Sequence, residues 1–339
     1  MRKSVDKIII TNLPSFYKIN LYNEIARQIN ILVIYTFDHA QGRNKDFYSG
    51  KMEFEHIFLS QSTSKRIRQL FDILHNTNYR ELIIGGWDSI SMWTSALVSP
   101  RKKNAVVVES SYYESTTRGI KGLIKRLFIS RISKAYVSGQ SQKKLVESLN
   151  FRGETIITKG VGVFNYIEQP PYIERQIVEK YIYVGRLTAV KNLHFLINTF
   201  NNLPHLQLTI VGFGELESEL KCIANENITF TGAVDNKKLP EIYQNHDVFV
   251  LPSYVEPWGL VVEEALNNGL PVIVSDKVGC AEEIINDGEN GFIFKSNDTE
   301  SLNKCIAKMQ DINSYNHMRK NISNINFKEI EEYQVKCYL

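Results

Sequence analysis

The sequence predicts an α/β protein made of two doubly wound domains in tandem. Three observations carry that expectation. Short β-branched runs alternate with longer stretches of mixed polar and apolar residues, the pattern of βαβ units around a parallel sheet. The rhythm breaks at Gln169-Pro170-Pro171, then restarts. The length, 339 residues, fits two domains at roughly 150 residues each. Such domains form a cleft at the carboxyl ends of their sheets, where ligands bind.

In the first half, Lys7–Thr11 (KIIIT) and Ile31–Thr36 (ILVIYT) read as buried strands. Arg80–Ile84, Ala105–Glu109, Ala135–Ser138 and Thr155–Thr158 follow as further strands. Leu21–Gln28, Ser64–His75 and Ser141–Leu149 read as helices between them. In the second half, strands are expected at Tyr181–Val184, Gln207–Val211, Ile228–Thr231, Val248–Leu251 and Pro271–Ser275. Helices are expected at Asn192–Phe200, Leu216–Ala224, Leu239–Gln244 and Leu260–Asn267. The expected domains are 1–168 and 180–312, joined by a linker over 169–179. A polar helical tail, 313–339, follows and is expected to return to the first domain.

Composition narrows the function classes. Apolar residues make up 43% and charged residues 23%, which is ordinary for a soluble globular chain. The net charge of +3 conceals a division. Residues 1–170 hold 25 basic and 14 acidic side chains, a net +11, and residues 171–339 hold 15 and 23, a net −8. Halves of opposite sign point to different partners. The start, MRKSVDKIII, has too short an apolar run for an export signal. No stretch approaches the ~18 apolar residues of a membrane span. The four cysteines (Cys222, Cys280, Cys305, Cys337) are far apart, which argues against a disulfide framework and against structural zinc. They are expected as small buried residues. The expected location is cytoplasmic.

The second half carries the chemistry. Gly185-Arg186-Leu187-Thr188-Ala189-Val190-Lys191-Asn192 follows a strand and precedes a helix. Two cations on one loop beside a helix N-terminus suit a diphosphate; a solvated loop with ordinary surface charges is the alternative. Val211-Gly212-Phe213-Gly214-Glu215 offers two glycines after a strand, which would let backbone approach a ligand. The three-glycine dinucleotide fingerprint is absent, and a plain tight turn reads equally from these residues. Pro252-Ser253-Tyr254-Val255-Glu256-Pro257-Trp258-Gly259-Leu260-Val261-Val262-Glu263-Glu264-Ala265 follows a strand and opens a helix. Free amides at that N-terminus, around Gly259 and Leu260, attract phosphate oxygens. Glu256 in the loop and a carboxylate one turn inside the helix make sense as acceptors for sugar hydroxyls. Glu263 and Glu264 compete for the second role, because adjacent helical residues point about 100° apart.

From Tyr181 to Phe294 the ordered set of segments resembles the family 4 glycosyltransferases, retaining enzymes with the GT-B fold of two Rossmann-like domains facing a central cleft. The set comprises GRL-x3-KN, VGFGE, the FTG of Phe230–Gly232 and the LPS of Leu251–Ser253. It continues through the Glu-x7-Glu pair, EALNNGLPVIVSD and EEIINDGENGFIF. The resemblance implies that Arg186 and Lys191 hold the diphosphate of a nucleotide-sugar donor, helped by the amides of Gly259 and Leu260 and by the glycines Gly212 and Gly214. It implies that Glu264 accepts hydrogen bonds from the ribose, and its spacing selects Glu264 over Glu263. Glu256 is implied as the catalytic contact to the donor sugar. No cofactor and no metal is expected, positive side chains taking that role. The implied acceptors are saccharides or lipid-linked saccharides of surface polysaccharides.

The first half matches far less. Where many relatives have a Gly-Gly pair after the first strand, this chain has Thr11-Asn12-Leu13-Pro14-Ser15, and none of its seven histidines falls in a matching segment. Glu109 and, second, Asp88 are the substitutes for a catalytic residue there; both read equally as capping or turn residues. Residues 118–134 hold six basic and no acidic side chains, with Ile120, Leu123, Ile124 and Leu127 at helical spacing. The expected arrangement packs this apolar stripe against the sheet and leaves the cations in solvent. The same cations can meet an anionic membrane, at the inner face of the cytoplasmic membrane. Two other function classes are weighed: an epimerase or phosphorylase of the same fold, and a nucleic-acid-binding protein using the basic half. No nucleic-acid motif supports the last.

Overall fold

The structure is a computed structural model describing residues 3–37 and 45–339. It divides into two compact units, Met1–Phe164 with Lys328–Leu339, and Asn165–Phe327.

The first unit begins with β1 (Lys3–Ser4), β2 (Lys7–Thr11), α1 (Phe16–Ala26), β3 (Ile31–Tyr35), β4 (Glu55–Phe58) and α2 (Thr63–Asn76). β5 (Thr77–Asn78), β6 (Glu81–Ile84), α3 (Ile90–Val98), β7 (Asn104–Val108) and α4 (Gly119–Ile129) follow. β8 (Lys134–Val137), α5 (Gln140–Ser148) and β9 (Glu154–Ile157) complete it. Seven strands pair in the order β4-β3-β2-β6-β7-β8-β9, all parallel. β2 and β3 are buried along their whole length, which is why their sequences are unbroken apolar runs rather than alternating ones. The order reverses between β2 and β6, so the chain ends of those two strands flank a crevice.

The second unit contains β10 (Lys180–Val184), α6 (Leu193–Asn201), β11 (Gln207–Val211), α7 (Glu217–Ile223), β12 (Ile228–Gly232), α8 (Leu239–Gln244) and β13 (Val248–Leu251). It continues with α9 (Leu260–Asn267), β14 (Val272–Ser275), α10 (Ala281–Ile284), β15 (Gly291–Phe294), α11 (Thr299–Met309) and α12 (Ile312–Ile322). Its six strands are also parallel, in the order β12-β11-β10-β13-β14-β15. Here the order reverses between β10 and β13. The stretch 169–179, expected as a linker, is tied into this unit. The Arg175 amide donates to Asn316 Oδ1 at 2.9 Å, and Gln169 Nε2 donates to the Ile322 carbonyl at 3.0 Å. The last helix, α13 (Phe327–Cys337), belongs from Lys328 onward to the first unit. There Tyr338 stacks on Tyr136, ring centroids 4.6 Å apart.

Two expectations are corrected. Cys280 and Cys305 are buried, but Cys222 is exposed on the outer side of α7. The stripe of α4 does not pack on the sheet. Ile120 is 79% exposed, Leu123 54%, Ile124 47% and Leu127 55%. The core contact is made instead by Phe128 and Ile129, with Phe128 edge-on to Trp93 and Trp87. That rotation about the helix axis turns the stripe outward.

Candidate functional site

The topological switch of the second sheet lies between β10 and β13, and each strand hands the chain to one of the two motif loops. Residues 185–192 leave the end of β10; residues 252–259 leave the end of β13. Sheet order therefore brings together two segments far apart in sequence. Their mutual position is fixed by hydrogen bonds: the Tyr254 amide donates to the Val190 carbonyl at 2.9 Å, and Asn192 Nδ2 donates to the Pro252 carbonyl at 3.2 Å. Asn192 is buried in the left-handed region (φ 58°), which asparagine tolerates better than most residues.

Lys191 Nζ and the Glu256 carboxylate form an ion pair across the two loops. Both side chains are largely shielded, at 12% and 14% exposure. Glu256 is also held through its backbone. Its amide donates to the Lys277 carbonyl at 3.1 Å and its carbonyl accepts from the Gly279 amide at 2.8 Å. Arg186 is exposed, and no acidic group among the described residues pairs with it. Its carbonyl accepts from the buried Tyr183 hydroxyl at 2.9 Å, so the loop is anchored beneath a free guanidinium.

Gly259 precedes α9 with φ +104°, a conformation costly for any residue with a Cβ. Among the described residues, the amides of Leu260 and Val261 donate to no backbone carbonyl, leaving the helix start available to an anion. One turn further, Glu263 and Glu264 diverge. The buried Glu263 carboxylate accepts from Trp258 Nε1 at 2.9 Å, and burial pushes it up to about 8. Glu264 accepts from the Tyr243 hydroxyl at 3.4 Å, and burial pushes it up to about 7. Gly212 and Gly214 serve a close approach, but of chain to chain. A Cβ on Gly212 would sit 1.9 Å from the Gly185 carbonyl oxygen, and one on Gly214 2.3 Å from that of Leu187.

Residues 173–326 match the family described as Glycosyl transferases group 1. The chain is 33% identical over 155 residues to the sulfoquinovosyl transferase SQD2 of Arabidopsis thaliana, covering 45% of this chain and 30% of the relative. It is 34% identical over 182 residues to the O-antigen biosynthesis glycosyltransferase WbnH of Escherichia coli, covering 53% and 51%. The chain thus spans about half or less of these relatives. Beyond the group 1 segment, the whole chain shares a fold with Anabaena HepE, solved in complex with UDP-glucose. The TM-score is 0.72 at 15% identity, with 98% of each chain covered. The fold is the GT-B class expected from the sequence. The matches favour neither the epimerase or phosphorylase reading nor the nucleic-acid one.

In the first unit, Glu109 at the end of β7 pairs with Lys18 of α1 at 2.9 Å. Burial opposes the Lys18 charge most strongly, but the Glu109 carboxylate together with Tyr17 and Tyr22 outweighs it, so Lys18 is held above the ordinary lysine range. Asp88 is exposed after β6 and accepts from Asn12 Nδ2, after β2, at 3.5 Å. Asn12 and Asp88 sit at that sheet's own switch point, between β2 and β6, and Glu109 follows β7, the next strand along. Sequence reasoning passed over Lys18, Tyr183, Trp258 and Tyr243. Each acts through a partner 3 to 91 residues away in the chain, and no local pattern marks it. Asn192 was visible only as the last residue of a motif. Among the described residues, no three His, Cys, Asp or Glu side chains converge as a metal ion would require. No described helix is long and apolar enough to cross a membrane.

Proposed function

We propose that the chain is a retaining glycosyltransferase of family 4. It would move a sugar from a nucleotide diphosphate sugar to the hydroxyl of a saccharide or lipid-linked saccharide in surface polysaccharide synthesis. The observation that carries this reading is the convergence at the β10–β13 switch of Arg186, the Lys191–Glu256 pair and the unsatisfied amides of α9. A diphosphate fits the cations and amides. The neighbouring carboxylates fit hydroxyls.

In this reading Arg186, Lys191 and the amides of Gly259 and Leu260 hold the diphosphate and stabilise the charge that grows on it as the glycosidic bond breaks. No resident metal or cofactor is called for. Lys191 would shift part of its contact from Glu256 to phosphate oxygen, freeing Glu256 to accept from donor-sugar hydroxyls. Glu264 would accept from the ribose. Gly212 and Gly214 would act by letting the 185–187 loop settle against the next turn. The leaving diphosphate itself takes the acceptor proton, so neither Glu109 nor Asp88 is required as a base. The enzyme would work in the cytoplasm, peripheral to the inner face of the membrane.

A thermal-shift screen of the full chain against nucleoside monophosphates, diphosphates and diphosphate sugars tests this directly, because a ligand of the native state raises its stability by mass action. Diphosphates and their sugars should raise the melting temperature while monophosphates do not. No shift with any of them would refute the reading. The anomeric configuration of the product, read by NMR, tests retention.

A further inference from the structure

We infer that α4 is an in-plane membrane anchor, and that the first unit binds an anionic lipid bilayer by inserting Ile120, Leu123, Ile124 and Leu127. The inference rests on this face alone and not on the donor reading. It differs from the sequence expectation, in which the stripe was spent on the core and only the charges were left for lipid.

At about 100° per residue the four side chains fall within an arc of about 100°. Gly122 and Ile129, both buried, lie on the opposite side of the helix. The apolar arc is therefore the outward face. Nor can the helix simply roll over. Phe128 is fixed between Trp93 and Trp87, with ring centroids at 5.2 and 6.3 Å. Four large aliphatics thus stand in water with nothing among the described residues to cover them, whereas scattered single exposed residues would need no account.

Charge selects the occupant. Lys121 and Arg126 flank the arc on its two sides, each about 110° from its centre. Lys125 lies on the other side of the helix, over the Trp87 ring at 5.7 Å, and Lys134 begins β8 and pairs with Glu81 and Glu154, so neither counts toward this face; α4 itself contains no acid. A second copy meeting this face with its own would set cation against cation. An anionic bilayer offers apolar depth in the middle and phosphates at the flanks, which is the arrangement of an interfacial helix. The helix has 11 residues, about 16 Å at 1.5 Å per residue, too short to span a membrane and suited to lying in its surface.

The test is flotation of the full chain with vesicles of phosphatidylcholine alone and of phosphatidylcholine mixed with phosphatidylglycerol. The wild type should float with the anionic vesicles and not with the neutral ones. The combined variant Ile120→Ser, Leu123→Ser, Ile124→Ser, Leu127→Ser should lose at least tenfold in partitioning. Its melting temperature should be unchanged, because the replaced groups are exposed. Lys121→Glu with Arg126→Gln should abolish the preference for anionic vesicles. Absence of flotation at low salt would overturn the inference, as would serine variants that bind like the wild type. A concentration-dependent dimer in vesicle-free buffer, dissolved by the serine substitutions, would reassign the stripe to a second copy. Donor-nucleotide binding is read separately, so its outcome does not bear on this one.

Discussion

Lys191 and Glu256, 65 residues apart in sequence, meet as an ion pair between the loops that leave β10 and β13. The pair stores a cation and a carboxylate side by side, each available to a different part of one ligand. It also makes each residue depend on the other. Removing one partner leaves a shielded charge without compensation, which costs about 1–3 kcal/mol. Lys191→Met should therefore destabilise the second unit by that amount, and Lys191→Met with Glu256→Gln should restore most of it. Chemical denaturation of the two variants checks the sign.

Glu256→Ala should lower turnover by about 10²–10³-fold, the scale of removing one transition-state contact, with a smaller change in donor affinity. Glu264→Ala should do the reverse. Loss of a charged hydrogen bond of about 1.5–3 kcal/mol predicts donor binding weaker by about tenfold or more, with turnover less affected. Steady-state kinetics separate the two patterns. Equal effects on both parameters in both variants would contradict the division of roles.

Burial places Glu264 at about 7, so its carboxylate fills as an acceptor only as pH rises through that value. Donor affinity should strengthen from pH 6 to about pH 8 in the wild type. Glu264→Gln should flatten that dependence. Calorimetric titrations at three pH values decide it.

Stability should run the other way. Glu263 and Glu264 titrate near 4.5 in the unfolded chain and near 8 and 7 when folded. Between those values the folded state holds protons the unfolded state has lost, so stability falls as pH rises from about 4.5 to about 8 and then levels off. Glu263→Gln, which keeps an acceptor for Trp258, should weaken the dependence. Melting temperatures across that range would expose a flat or rising wild-type profile.

Asn192→Ala should cost about 1–3 kcal/mol, because Ala is strained at φ 58° and the Pro252 carbonyl loses its donor. Asn192→Gly should recover the backbone part only. If the alanine variant melted like the wild type, the strut between the loops would be dispensable.

Most of the second unit was legible because its central strands are unbroken apolar runs. α8 and α9 fall where the pattern placed them, at Leu239–Gln244 and Leu260–Asn267. Other elements were not legible. β4 is a largely exposed edge strand, EHIF, without the buried pattern that marks a strand. β15 is four residues lying within a turn-rich stretch, and α3 opens on a serine-rich segment. The motif loops could be read, but their meeting could not, since strand order is a property of pairing and not of spacing. Lys18 against Glu109 and Glu263 against Trp258 stayed invisible for a related reason: a partner is chosen by packing. The α4 stripe misled because helical spacing says which residues share a face and not where that face points.

The central claim is that a donor diphosphate binds at the β10–β13 switch, on Arg186 and Lys191. Isothermal titration of the nucleoside diphosphate that most raises the melting temperature, into wild type and Arg186→Ala, tests it most directly. Arg186 is exposed and has no acidic partner among the described residues, so its loss should leave folding intact. The account predicts at least tenfold weaker binding to the variant, with an unchanged melting temperature in the absence of ligand. Equal affinity for both proteins would contradict it.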